Sequence, residues 1–300
     1  MVIFVPMKTN FKFIFAALCL LLQLPCFGQE RPKVALVFGG GGAKGAAEIG
    51  VLRYIEKSGV KVDYVVGTSI GAIIGSLYAS GYSADKMQYL FTTQNYIDVL
   101  TTPGGVNQLL GDLLKDTEDI NFDSLKIPFR CVATTLPKLN EVVLDHGDLS
   151  KAVRASAALP GALKPVFYQG KLLIDGGVRN NLPVDVARAM GADIVIAIDL
   201  QQEKYIAAED IPSKYYKKLL PKNLGDVKKG VDWLVAQPGL AKYNANKKSA
   251  DIYIHPKLKD YNVASILPSQ LYEMIEKGEK AGKKALGKLK RLRKKQFVEE

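Results

Sequence analysis

A serine between two glycines is the residue of this sequence best suited to covalent chemistry. Ser69 lies between Gly67 and Gly71 in a G-x-S-x-G pattern, after an apolar run at 62–66 and before a nearly apolar run at 70–80. A strand, a tight turn and a helix in this order form a nucleophile elbow, which presents the hydroxyl while the glycines avoid Cβ clashes. A serine that only caps the helix is the alternative. The flanking runs favour the nucleophile.

A glycine-rich turn lies one α/β unit earlier in the chain. It follows the apolar run 34–38 and opens a helical pattern at 43–57, and it contains Gly39, Gly40, Gly41, Gly42, Lys44 and Gly45. Backbone N–H groups at the start of a helix can hold a phosphate or a developing oxyanion. The turn also fits G-x-G-x-x-G, so a dinucleotide-binding fold with Asp63 on the ribose is the alternative. The serine turn that follows favours an oxyanion hole.

An aspartate is the predicted proton acceptor for the serine. Asp175 ends the apolar run 171–174 and is followed by Gly176 and Gly177. A carboxylate where a strand meets two glycines is expected at the carboxyl edge of a sheet, where active sites gather. On this interpretation Asp175 takes the proton from Ser69, and the alternative is an aspartate that caps a turn.

The two histidines decide what kind of hydrolase the sequence encodes. Ser69, Asp175 and His255 follow the chain order of an α/β-hydrolase triad. His255, however, precedes a proline at the end of a strand-like run, and His146 lies in a polar turn. The sequence therefore predicts a mechanism without histidine. It contains no set of His, Cys and Asp residues with metal-ligand spacing, so neither a metal nor a cofactor is expected.

Short apolar runs alternate with helical patterns through most of the chain. This alternation predicts an α/β sandwich with a mainly parallel central sheet. Two helical patterns between 83 and 125 are predicted to cap a cleft, and a lysine-rich stretch occupies 201–250. Beyond 34–38 and 62–66, strands are predicted at 129–133, 141–144, 171–175, 194–199 and 251–254.

The first 28 residues read as an export signal. Lys8 and Lys12 precede an almost wholly apolar run at 13–24. Twelve helical residues reach about 18 Å, too short for a hydrocarbon core near 30 Å, so a cleaved signal peptide ending at Gly28 is expected rather than a spanning helix. A lipoprotein acylated at Cys26 is the alternative. The mature protein would be periplasmic, membrane-associated or secreted, with Cys131 as its one thiol, buried in the core.

Positive charge is concentrated at the C-terminus. The chain carries 41 basic and 30 acidic residues, a net charge of +11, and 277–295 holds ten Lys or Arg with one acid, Glu279. The segment 266–300 is predicted as a basic helical tail, weakened by Gly278, Gly282 and Gly287. Such a surface suits anionic membranes or nucleic acid. Export favours the membrane and argues against nucleic acid.

Three motifs together resemble the patatin-like phospholipase family, including its secreted bacterial members. They are GGGGAKG, GTSIG and DGG, and the likeness continues through AVRASAALPGALKPV (152–166) and LLIDGGVRNNLPVDVARAMGADIVIAIDL (172–200). The resemblance implies a patatin-type α/β/α fold in a domain at 29–265 with its motifs in 34–200. It also implies a Ser69–Asp175 dyad, hydrolysis of phospholipid acyl esters, and oxyanion donors at Gly40, Gly41 and Gly42.

Two residues depart from the family pattern. Lys44 stands where many members have arginine, and Glu48 stands where the bacterial pattern has histidine. Neither change removes a dyad residue, but a charge beside the glycine turn leaves the head group of the substrate open. A soluble carboxylesterase or lysophospholipase, and a catalytically silent lipid-binding module, remain the alternative functions.

Overall fold

The computed structural model describes residues 31–93, 99, 102, 104–201 and 240–297. The predicted signal at 1–28 and most of the lysine-rich stretch at 201–250 lie outside these ranges. The strands are β1 (Val34–Phe38), β2 (Tyr64–Thr68), β3 (Ile120–Asn121), β4 (Phe129–Leu136), β5 (Glu141–Leu144), β6 (His146–Gly147), β7 (Val166–Tyr168), β8 (Lys171–Asp175), β9 (Ile194–Ile198) and β10 (Ile252–Ile254). The helices are α1 (Ala46–Ser58), α2 (Ile70–Ala79), α3 (Ala84–Thr93), α4 (Gly105–Leu113), α5 (Leu149–Ser156), α6 (Val184–Ala189), α7 (Leu240–Ser249) and α8 (Pro268–Phe297).

The central sheet is mainly parallel, as predicted. Strands β10, β9, β1, β2 and β4 lie side by side in that order and all run in one direction. Strands β5 and β8 pair antiparallel with β4, and β7 pairs antiparallel with β8. All seven predicted strands are present, with boundaries shifted by up to three residues. The short strands β3, β6 and β7 were not predicted.

Helices cover both faces of the sheet because successive side chains of the buried strands point to opposite sides. Leu36 and Phe38 of β1 belong to a core shared with α1, α2, α5 and α8. Ala35 and Val37 belong to the core on the other face, which is shared with α6 and α7. The α/β/α sandwich predicted from the alternating pattern is therefore confirmed. Cys131 is fully buried within the first core, as predicted.

Strands β2 and β8 meet end to end along one edge of β4. Strand β2 pairs with the first half of β4, up to Thr68 opposite Val132, and β8 pairs with the second half, from Leu172 opposite Leu136 back to Asp175 opposite Ala133. Strand β5 pairs with β4 across both of these stretches, so it occupies the other edge. The carboxyl ends of β2 and β8 consequently face each other.

The C-terminal helix α8 is a packed layer of the sandwich. It runs for 30 residues, about 45 Å, and buries Leu271, Ile275 and Leu289. Its long contact with α1 depends on glycine: a Cβ on Gly278 would lie 1.9 Å from the Ala47 carbonyl oxygen. A helix was predicted here, but the expectation that its glycines weaken it needs correction for Gly278, which allows two helix backbones to touch. No helix in the described ranges combines the length and apolar character needed to cross a bilayer.

Candidate active site

Ser69 occupies a strained turn between β2 and α2. Its φ angle is 57°, in the left-handed region that residues other than glycine rarely adopt. A Cβ on Gly67 would lie 2.3 Å from the Gly71 carbonyl oxygen, and one on Gly71 would lie 2.4 Å from the Phe38 carbonyl oxygen. Both glycines flanking the serine are therefore required by close backbone contacts, as the elbow pattern predicted.

Ser69 and Asp175 are in direct hydrogen-bond contact. The Ser69 hydroxyl donates to Asp175 Oδ2 at 2.6 Å, and the Gly177 N–H donates to Asp175 Oδ1 at 2.8 Å. Asp175 is 3% exposed. Burial raises the pKa of Asp175 to about 6, against the two hydrogen bonds, which lower it. The carboxyl group is thus ionised at neutral pH but is a stronger base than an exposed aspartate.

The reason for the contact differs from the one predicted. Asp175 was expected at the carboxyl edge of a parallel sheet, but β8 is antiparallel to β4. The carboxylate reaches Ser69 because β8 runs back along the part of β4 that extends beyond β2. Gly176 makes the approach possible, since a Cβ there would lie 2.1 Å from the Val132 carbonyl oxygen.

Ser156 holds the backbone of Ser69 in place and was not predicted. Its hydroxyl accepts the Ser69 N–H at 3.0 Å and donates to the Val132 carbonyl oxygen at 2.6 Å. The residue lies at the end of α5 and is fully buried. It fixes the backbone of the turn, and no local pattern marks it, because a buried serine at the end of a helix is common.

The glycine turn does not present all three predicted oxyanion donors. The Gly40 N–H donates to the Asn181 carbonyl oxygen at 3.0 Å, and Asn181 Nδ2 donates back to the Gly40 carbonyl oxygen at 3.1 Å. The Gly39 N–H likewise donates to a protein acceptor, the Ile198 carbonyl oxygen. Within the described ranges, the N–H groups of Gly41 and Gly42 have no protein acceptor. Of the three predicted oxyanion donors, Gly40 is therefore excluded, and the N–H groups of Gly41 and Gly42 remain available to bind an oxyanion.

The turn is held in place by its neighbours. The Ala43 N–H donates to the Val263 carbonyl oxygen at 2.9 Å, and Gly42 has a φ of 58° at this contact. A Cβ on Gly45 would lie 2.2 Å from Ile70 Cγ1, so the starts of α1 and α2 touch. Lys44 is buried beside them. The glycine turn and the serine turn thus pack directly against each other, and together they form the floor of the site.

An apolar cavity of about 360 Å³ opens above this floor. Gly41, Gly42, Ser69 and Asp175 lie on its inner surface, and most of the remaining wall is aliphatic. Helices α3 and α4 contribute to that wall, which agrees with the predicted cap. The apolar lining is Ile70, Ile73, Leu90, Phe91, Val99, Val106, Leu109, Leu110, Leu113, Leu159, Leu163, Val263, Ile266 and Leu271.

Glu48 lies behind the glycine turn without a hydrogen-bond partner of its own. It is fully buried on α1, and neither carboxyl oxygen is hydrogen-bonded. Burial raises the pKa of Glu48 well above its usual range, and the Asp199 carboxylate adds to the rise. The nearby Gly39 N–H lowers the pKa of Glu48 and so offsets part of this rise, although this N–H donates its hydrogen bond to the Ile198 carbonyl oxygen. Glu48 is therefore a buried acid that favours its neutral form.

The other titratable candidates lie away from Ser69. His255 Nε2 contacts the Gln201 carbonyl oxygen, and His146 Nδ1 contacts Asp145. Asp63, the candidate ribose ligand, precedes β2 at the opposite end of the strand from Ser69 and pairs with Arg31. That position argues against a dinucleotide site. In the part of the chain that the structure describes, no three His, Cys, Asp or Glu side chains are grouped as metal ligands.

Comparison with known sequences places these motifs in a wider context. A family model described as patatin-like phospholipase matches residues 36–188, half of the chain. Patatin-like phospholipase domain-containing protein 7 of Mus musculus is 39% identical over 56% of this chain and 13% of its own length. Lysophospholipase NTE1 of Pyricularia oryzae is 27% identical over 86% of this chain and 19% of its own. An uncharacterized NTE family protein of Mycobacterium bovis is 32% identical over 61% of this chain and 53% of its own. The chain thus spans about half or less of the length of these relatives.

Among solved structures, VipD from Legionella pneumophila shares the fold. The two chains superpose with a TM-score of 0.51 at 16% identity, over 86% of this chain and 67% of VipD. At this identity the likeness concerns the fold alone.

Proposed function

Because the chain belongs to the patatin-like phospholipase family, we propose that it is a serine hydrolase that cleaves acyl esters of lipids, with Ser69 as nucleophile and Asp175 as general base. The observation that carries the proposal is the 2.6 Å hydrogen bond from the Ser69 hydroxyl to Asp175 Oδ2 at the floor of an apolar cavity. No third side chain is needed to relay the proton, since donor and acceptor are already in contact.

The reaction follows from the geometry in two stages. Ser69 Oγ attacks the ester carbonyl as its proton passes to Asp175, and the Gly41 and Gly42 N–H groups stabilise the oxyanion. The tetrahedral intermediate collapses to an acyl-serine, and Asp175 returns the proton to the leaving alcohol. A water molecule then gives a proton to Asp175 and attacks the acyl-serine. The second tetrahedral intermediate collapses to the fatty acid as Asp175 returns the proton to Ser69 Oγ. Asp175 is ionised again at the end of each stage.

Phospholipid is the proposed substrate class, because the aliphatic wall suits a long acyl chain rather than a small one. A carboxylesterase or lysophospholipase is the second candidate, supported by the name of the fungal relative. The test is a panel of phospholipids, lysophospholipids and short p-nitrophenyl esters. Preference for the short esters by more than about tenfold in kcat/KM would refute the phospholipid assignment. Failure of a fluorophosphonate to label Ser69 would instead favour a silent lipid-binding module.

Helix α8 is the proposed contact with an anionic membrane surface. From Lys280 to Phe297 it carries no acid, and nine of its cations are exposed: Lys280, Lys283, Lys284, Lys288, Lys290, Arg291, Arg293, Lys294 and Lys295. Each charge near an anionic bilayer contributes roughly 1 kcal/mol. Since α8 is packed into the core, charge removal is a better test than truncation.

The binding test compares two fourfold Lys/Arg→Gln variants on phosphatidylserine vesicles at low salt. One variant changes exposed positions of α8, namely Lys290, Arg291, Lys294 and Lys295. The control changes exposed lysines elsewhere, namely Lys115, Lys138, Lys171 and Lys257. We expect the α8 variant to lose most vesicle binding and the control to keep it. Equal binding by the two variants would exclude α8 as the contact.

Export is proposed on the composition of residues 1–28, with the mature chain beginning at Gln29 in a periplasmic, membrane-associated or secreted protein. N-terminal sequencing of protein made in a secreting host is the test. A chain that keeps Met1 in the membrane fraction would rule out the cleaved signal.

A further inference from the structure

Arg154 is a buried cation whose hydrogen-bonding capacity is largely unused. It lies on α5 and is 9% exposed. Its Nη2 donates to the Lys164 carbonyl oxygen at 3.2 Å, while Nε and Nη1 are buried without any hydrogen-bond partner. No carboxylate in the described ranges pairs with it. A guanidinium in this state is costly, because buried charges are ordinarily paired and buried donors satisfied.

Arg154 borders a second cavity, of about 740 Å³, whose charged lining is entirely basic. Lys151 and Lys164 also line this cavity, as do the polar residues Ser150 and Asn107. The described residues of the lining include no aspartate or glutamate. Lys151 is paired with Asp148, whereas Lys164 is exposed and has no acidic partner in the described ranges. Burial lowers the pKa of the Arg154 guanidinium, but an arginine stays protonated.

The second cavity adjoins the apolar cavity above Ser69. Val106, Ala162 and Leu163 line both of them. A molecule that extends from one cavity into the other would place an apolar chain beside Ser69 and an anionic group beside Arg154. Glycerophospholipids have this arrangement, since only the glycerol separates the acyl ester from the phosphate.

We propose that Arg154, with Lys164, forms a phosphate-binding site that holds the head-group phosphate of the lipid whose acyl ester Ser69 cleaves. The inference rests on the proposed function for the source of the phosphate, but the site itself stands on the unpartnered guanidinium and the basic cavity. The free Nε–H and Nη1–H groups supply directional donors to an anion with several oxygens, which is the role for which arginine is best suited. Lys164 adds a second charge from the rim.

The activity test uses two substrates that differ only in the phosphocholine group, 1-palmitoyl-lysophosphatidylcholine and 1-palmitoylglycerol, presented in the same neutral micelles. We expect Arg154→Gln to lower kcat/KM for the phospholipid by about tenfold to a hundredfold and to change the value for palmitoylglycerol less than about threefold. Lys164→Gln, at an exposed position, should give a smaller loss with the same selectivity. The control is Arg188→Gln, which also removes one positive charge, but at a guanidinium that is already paired with Asp251. It should change kcat/KM for the two substrates by the same factor.

The binding test needs no turnover. Inorganic phosphate, titrated into the full chain and followed by ³¹P NMR, should bind the wild-type protein and the Arg188→Gln variant but not Arg154→Gln. Phosphate binding that depends on Arg154, with an unchanged ratio of the two esters, would assign the cavity to free phosphate and overturn the head-group assignment. Phosphate binding that is unchanged in the Arg154→Gln variant would refute the proposed phosphate site.

The two tests also separate this inference from the proposed function. A wild-type protein that hydrolyses neither ester contradicts the function, while the phosphate titration still decides the site. If Arg154→Gln fails to fold, Arg154→Lys and Lys164→Gln replace it. Full phosphate binding and an unchanged ester ratio in both of these variants would refute the proposal.

Discussion

At the Ser69 turn, glycines let two strand ends meet around a strained serine, whereas along the α1–α8 contact they let two helix backbones pack together. The first region holds a residue at φ 57° and a carboxylate whose pKa is raised to about 6 from 3.8, a cost of about 3 kcal/mol when the group is ionised. The second buries the apolar side of a 30-residue helix without a comparable penalty. The Ser69 turn therefore lowers stability where the proposed reaction takes place, whereas the α1–α8 contact contributes to stability. Substitutions in the two should separate activity from folding.

The largest expected effect is loss of activity at the strained region. Ser69→Ala and Asp175→Asn should each lower kcat/KM on a long-chain ester by about 10⁴-fold or more, because each removes a member of one catalytic unit. The double variant should be hardly worse than either single one. All three should keep the wild-type circular dichroism spectrum.

The histidines provide the matched control for that experiment. His146→Ala and His255→Ala should stay within about tenfold of wild-type kcat/KM, since neither side chain contacts Ser69 or Asp175. A collapse in His255→Ala together with an active Asp175→Asn would replace the dyad by a triad.

The pH dependence of the strained region is the next largest effect. A general base must be ionised, so kcat/KM should fall about tenfold per unit as pH drops below the Asp175 pKa of about 6. Stability should respond in the opposite sense. The folded pKa of Asp175 lies above its unfolded value of 3.8. The contribution of Asp175 to the free energy of unfolding is therefore fully present below pH 3.8 and is lost as pH rises towards 6.

Urea unfolding at pH 4 and pH 7 checks the sign. Relative to wild type, Asp175→Asn should gain up to about 3 kcal/mol of unfolding free energy between the two pH values. An equal pH dependence in both proteins would show that Asp175 ionises as it does in the unfolded chain.

The helix contact should respond in stability alone. Gly278→Ala places a Cβ against the Ala47 carbonyl and should lower the free energy of unfolding by about 1–3 kcal/mol, while the folded protein keeps its kcat/KM. Gly287→Ala on the same helix meets nothing within 4 Å and should raise it by about 0.5–1 kcal/mol. Thermal and urea unfolding measure both. Stabilisation by both alanines would mean that helix propensity, and not the contact with Ala47, governs the effect.

Sequence reasoning succeeded where a few neighbouring residues determine the structure. The Ser69 elbow is an example, because strand, turn and helix lie within 20 residues and Gly67 is required by a contact inside the turn, although Gly71 is also required by Phe38 of β1. It failed where the partner is distant in the chain. Gly40 was predicted as an oxyanion donor, yet its N–H is taken by Asn181, 141 residues away. Gly278 was expected to weaken a helix, since nothing in its neighbourhood reveals Ala47 on the facing side.

Asp175 shows a correct location reached for an incomplete reason. Its place at the end of an apolar strand could be predicted, but not the direction of that strand or the fact that β4 extends beyond β2. Both depend on pairing between segments far apart in the sequence. Arg154 was overlooked because an arginine in an amphipathic helix reads as an exposed charge, and only the structure shows it buried.

The smallest expected effect on kcat/KM among the residues near the glycine turn concerns Glu48, which lies between the two regions, on the helix that contacts α8 and against the glycine turn. Its folded pKa is raised well above the ordinary value of 4.5 by burial, so its contribution to stability is complete below 4.5 and decreases as pH rises. Glu48→Gln should therefore unfold with about the same free energy as wild type at pH 4 and with a larger free energy of unfolding than wild type at pH 8. Its kcat/KM should stay within about threefold, because the glycine turn keeps its bonds to Asn181, Ile198 and Val263. A larger loss of kcat with a shifted pH optimum would place Glu48 with the chemistry of the glycine turn instead.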